Sequence, residues 1–80
     1  MKETKTYRGF QLIKHADYLD ENKIRLVQQS SAIRYENGYD KPGTSCLWVG
    51  ENLHLDREQV SQLIGYLNHW LETGKLYEED

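Results

Sequence analysis

The chain lacks most of what the simpler function classes need. It holds one cysteine, Cys46. One thiol can form neither an intrachain disulfide nor a cysteine-based zinc site, so the fold must rest on packing or on an oligomer interface. No apolar run approaches the ~18 residues of a membrane span. The N-terminal Met1-Lys-Glu-Thr-Lys has none of the apolar stretch of a signal peptide. Ten basic residues stand against thirteen acidic ones, a net charge of −3, and no basic cluster exceeds the Lys2 and Lys5 pair. That balance argues against a general nucleic-acid binder, whose affinity comes from neutralising phosphates. These absences predict a cytoplasmic protein with no membrane partner.

Catalytic signatures are missing as well. There is no Gly-x-Ser-x-Gly, no Ser-x-x-Lys and no glycine-rich phosphate loop. His15, His54 and His69 fall in separate elements, and none has a second His or Cys at helical spacing. No metal and no cofactor is expected. Cys46 sits in an apolar strand pattern, where a free thiol is usually buried and inert. The expectation is a non-enzymatic protein.

What is present points to a single domain spanning residues 1–80, with frayed ends at about 1–5 and 77–80. Tyr7 to His15 is expected as a first strand and Lys23 to Ser30 as a second. In the second, Ile24, Leu26 and Gln28 alternate against Arg25, Val27 and Gln29. Ser30-Ser31 is either a bend in a strand continuing through Ala32 to Glu36 or a hairpin turn. Asn37 to Thr44 holds Asn37-Gly38 and Pro42-Gly43, both turn signals. Ser45 to Val49 is apolar on both faces, which predicts a central strand. The strongest signal is a helix opening at Asp56, with Gln59 at the capping-box position and Gly74 as the C-cap. Val60, Leu63, Ile64, Leu67, Trp70 and Leu71 follow the spacing of one buried face. The predicted fold class is α+β, an antiparallel sheet of about three to five strands with one C-terminal amphipathic helix packed on one face. Trp70, Trp48, Phe10, Leu12, Leu26 and Leu63 are the predicted core.

Two groups of residues are candidates for binding. Arg25, Gln28, Ser30, Ser31, Arg34 and Tyr35 could line a shallow ligand site, with amides and hydroxyls for orientation, arginine for an anion and an aromatic for stacking. On the exposed side of the helix, Ser61, Gly65 and Asn68 form a small-residue patch that another backbone could approach closely. Gly65 costs about 1 kcal/mol against alanine in a helix interior.

The segments VQQSSAI, KPGTSCLWVG and LHLDREQVSQLIGYLNHWLETGKL, within residues 27–76, resemble small accessory proteins encoded by bacteriophages. The resemblance implies a bacterial cytoplasm and action by binding a host or defence protein, or by sequestering a small molecule. It transfers no functional residue. The leading expectation is therefore an interaction protein that pairs with itself or with a bacterial protein. The alternative is a binder of a small nucleotide-like anion. A nucleic-acid mimic would need an acidic stripe, for which Asp17, Asp20, Glu21, Glu78, Glu79 and Asp80 are too few.

Overall fold

A computed structural model of the chain describes residues 1–15, 25–33, 41–50 and 54–79. Within them the fold is α+β. Strands β1 (Lys2–Lys5), β2 (Gln11–Lys14), β3 (Arg25–Gln29) and β4 (Leu47–Val49) form an antiparallel sheet in chain order, followed by one helix, α1 (Arg57–Thr73). Among the described residues no helix is long and apolar enough to cross a membrane.

The first strand differs from expectation because Gly9 ends it. Gly9 has φ 88°. Its N–H donates to the Thr6 carbonyl at 2.9 Å, and the Thr6 N–H donates to the Phe10 carbonyl at 2.7 Å. This is a three-residue hairpin loop closed by a left-handed residue, a position that favours glycine. The predicted Tyr7–His15 strand is thus a turn followed by β2. Residues 1–5, expected to fray, supply β1, with Glu3 opposite Ile13 and Thr4 opposite Leu12.

A bulge changes the faces of β3. Ile13 stands opposite Val27 and Lys14 opposite Arg25, which leaves Leu26 as the extra residue. Simple alternation would set Leu26 and Val27 on opposite faces. Instead both are buried and join Ile13 and Leu76 in one core cluster. Beyond the bulge the phase has shifted, so Arg25 reaches Gln28, its Nη1 donating to Oε1 at 3.1 Å. A bulge redirects side chains in this way because two residues face one on the neighbouring strand.

At the end of β3 the strand stops. Ser30 is buried, its N–H donates to the Cys46 carbonyl at 3.0 Å, and its Oγ accepts from the Ala32 N–H at 3.1 Å. The hydroxyl turns the chain in place of a ladder bond. Ala32 and Ile33 are not strand, so the expected continuation fails there; Arg34 to Glu36 lie outside the described residues. Pro42 and Gly43 occupy the centre of a turn closed by the Thr44 N–H on the Lys41 carbonyl at 3.0 Å. The next strand, β4, lies at the end of the described sheet rather than at its centre.

Helix α1 starts and stops where its caps dictate. The Asp56 carboxylate accepts from the Gln59 N–H at 2.8 Å, and the Gln59 side chain accepts from the Asp56 N–H at 3.0 Å. Gly74 closes the helix at φ 80°. Leu63, Tyr66, Leu67 and Trp70 pack against the core cluster. The Trp70 indole donates to the Gly43 carbonyl at 2.9 Å, tying the helix to the turn before β4.

Residues 74–79 return the chain onto the sheet rather than fraying. Leu76 is fully buried in the core. Burying one leucine contributes about 1.5–3 kcal/mol. Two glutamines on the helix side of the sheet satisfy the backbone of this tail. Gln11 accepts from the Leu76 N–H at 2.6 Å and donates to the Tyr77 carbonyl at 2.8 Å. Gln29 donates to the Gly74 carbonyl at 2.9 Å and accepts from the Gln11 N–H at 2.8 Å. Buried backbone groups outside regular structure need such partners. Lys5 pairs with Glu79 at 2.9 Å, and His69 with Glu78 at 3.0 Å.

Candidate functional site

Two surfaces remain open once the core is closed. The first is a flank of α1. Val60, Ile64 and Leu71 are 41%, 52% and 73% exposed, although the sequence pattern predicts all of them buried. The helix carries two overlapping apolar stripes. Leu63, Tyr66, Leu67 and Trp70 make a complete i, i+3, i+4, i+7 set, and that set faces the sheet. At roughly 100° per residue, Val60, Ile64 and Leu71 fall within about 40° of one another on the neighbouring flank. Ser61 and Asn68 follow around the helix, and Gly65 lies farthest round; all three are exposed. Nothing stands within 4 Å of where a Gly65 side chain would begin. Leu55, Arg57, Val60, Ser61 and Ile64 line a shallow depression at the start of this flank.

Gly65 also borders a groove of about 340 Å³ on the other flank, lined with Tyr66, His69, Tyr77 and Glu78. Burial pushes the Tyr66 hydroxyl above its ordinary range, with Glu3 as the next cause. The Tyr77 hydroxyl is raised, again mainly by burial, and donates to the Thr4 carbonyl. These side chains fasten the tail to the helix and β1.

The second open surface is the face of the sheet turned away from α1. Leu12, Gln28 and Trp48 stand side by side across β2, β3 and β4; Leu12 is buried, so the face opens only toward β3 and β4. Trp48, predicted as core, is 66% exposed here. Its register partner explains this: Gln28 and Trp48 share one face, while Val27 and Val49 share the helix side. Trp48, Phe10, Arg25, Gln28, Ser31 and the hairpin residues Thr6 to Arg8 line a groove of about 300 Å³. The Arg8 guanidinium lies 5.7 Å from the centroid of the Phe10 ring, a cation–π distance. None of the described residues lining the groove carries a carboxylate.

The predicted ligand residues therefore divide. Arg25, Gln28 and Ser31 come together in this groove. Ser30 does not join them; it is buried and engaged in its turn. Arg34 and Tyr35 lie outside the described residues. Tyr7, Arg8 and Phe10 were missed as site residues, and Trp48, which the pattern places in the core, joins them here. The signal available for Tyr7 and Arg8 was Gly9, which marks a hairpin tip that displays the residues before it. Among the described residues no cluster of His, Cys, Asp and Glu is placed to hold a metal ion.

No family model, curated protein or solved structure matches the chain.

Proposed function

We infer that this is a non-enzymatic interaction protein that associates with a second copy of itself through the Val60, Ile64 and Leu71 flank of α1. The observation that carries the reading is the exposure of these aliphatic side chains on a helix whose other stripe already fills the core. Removing apolar surface from water contributes about 25 cal/mol per Å², and a small domain gains proportionately more from it than a large one. A helix flank suits a two-fold pairing, in which the same patch serves both partners. Arg57 stands near the start of the flank and Glu72 near its end, so an antiparallel pair brings opposite charges and opposite helix ends together. Ser61 and Asn68, small and uncharged, allow close approach beside the aliphatic ridge. The resemblance to phage accessory proteins makes a bacterial host or defence protein the competing occupant.

Sedimentation of the purified chain at micromolar concentration tests this. The expected mass is twice the 9.5 kDa of the chain. Ile64→Lys, at the centre of the flank, should return it to one chain. Gly65→Trp, at the rim, should weaken the pair and leave the fold intact, since open space surrounds that position. A wild-type monomer at every concentration refutes self-association and leaves the bacterial partner as the remaining reading.

A further inference from the structure

The outer face of the sheet concentrates positive charge on an acidic protein. Lys14 stands directly opposite Arg25 across β2 and β3. Like charges facing each other in a sheet are destabilising. Arg8 enters the same groove from the hairpin tip. The chain as a whole carries −3, yet among the described residues the ion pair is Lys5 with Glu79, the His69 imidazole lies 3.0 Å from Glu78, and neither contact involves Arg8, Lys14 or Arg25. Aromatic surface lies among these cations, with Phe10 under Arg8 and Trp48 largely exposed at the groove wall. The Gln28 amide and the Ser31 hydroxyl add polar groups at the same place.

We propose that this groove binds a mononucleotide. The base stacks on Trp48, the phosphate meets the guanidinium groups of Arg8 and Arg25, and Gln28 and Ser31 supply polar contacts to the base or sugar. Charge-assisted and forked contacts from arginine suit a phosphate, and an exposed indole suits a base because every base has a stacking face. A volume of about 300 Å³ lies at the lower end of small-molecule sites. The protein's net negative charge favours a single nucleotide over a strand by repelling an extended phosphate backbone. The bound phosphate would also offset the repulsion between Lys14 and Arg25. This site is independent of the α1 flank.

The test is a titration followed by tryptophan fluorescence, with AMP, GMP, CMP and UMP as probes. Ribose phosphate, inorganic phosphate and an oligothymidylate serve as comparison probes. At least one mononucleotide should quench Trp48 and bind more tightly than ribose phosphate or inorganic phosphate. The double variant Arg8→Ala/Arg25→Ala should weaken that binding by about tenfold or more. Both side chains sit on the surface, so its melting curve should match wild type, which separates lost binding from lost fold. Absence of quenching by every mononucleotide at millimolar concentration overturns the proposal. So does equal binding of ribose phosphate, unchanged affinity in the double variant, or tighter binding of the oligonucleotide than of any mononucleotide.

Discussion

The α1 flank and the outer sheet face are both open, and both carry large apolar side chains, but their chemistry differs. The flank is aliphatic, with Val60, Ile64 and Leu71 exposed and small uncharged residues beside them. It offers area and shape without fixed polar anchors, which suits another protein surface. The sheet face combines aromatic rings with cations that have no carboxylate partner among the described residues. It offers directional contacts in a groove, which suits a small anion with a planar ring. Exposed apolar surface is thus two different things in one small domain. The polar residues around each patch decide which kind of partner it fits.

The comparison depends on α1 being held in one rotation over the sheet, and Leu76 is the residue to remove. Leu76→Ala should cost about 2–5 kcal/mol in urea unfolding, the usual range for a fully buried leucine. A cost below about 1 kcal/mol would mean that the tail does not hold the helix, because so small a loss is typical of surface sites.

Paired surface variants sharpen the contrast directly. At concentrations low enough that wild type is a single chain, Ile64→Gln/Leu71→Gln and Trp48→Gln should each change stability by no more than about 1 kcal/mol, since the side chains removed are then exposed. The first should abolish self-association and leave nucleotide binding unchanged. The second should do the reverse, with nucleotide binding read by titration calorimetry because the substitution removes the fluorescent side chain. If either variant disturbs both readouts, the two surfaces are not separate.

The smallest effect is a pH dependence of tail docking. Hydrogen bonds from Lys5 and then Gln11 hold the Glu79 carboxyl below its ordinary range. A depressed folded-state pKa means the contribution is present above the unfolded value and is lost as pH falls through the folded one. The wild-type melting temperature should therefore decline more steeply than that of Glu79→Gln as pH falls from the ordinary carboxylate range to below it. At the other extreme, Lys5 is raised by its hydrogen bond to Glu79, and the tyrosines are raised chiefly by burial. Groups raised in the folded state lose their contribution as pH rises, here above about pH 10. Parallel profiles for wild type and Glu79→Gln in acid would remove the Glu79 contact from the account.

Local chemistry was legible wherever a single residue type enforces it. Asp56, Gln59 and Gly74 set the ends of α1 because a cap needs only its own few residues. The α+β class followed from period-two patterns giving way to a helical one. The faces were less legible. Nothing in residues 25–29 alone announces that Leu26 is bulged, because a bulge is a relation between two strands. The same limit hid the outer groove, which joins a hairpin tip to β3 and β4.

Residue identity alone was enough to establish that α1 exists and where it starts and stops. The turn at Pro42-Gly43 was set in the same way, because φ preference is a property of the residue, whereas Gly9, expected within a strand, became a hairpin loop through the pairing of β1 with β2. Packing selected which stripe of α1 met the sheet, docked the tail through Leu76 and the paired glutamines, and turned Trp48 outward. Those outcomes turn on how a narrow sheet, a helix and a returning tail share one small volume. Packing is a property of all the partners at once, and local patterns cannot rank its arrangements.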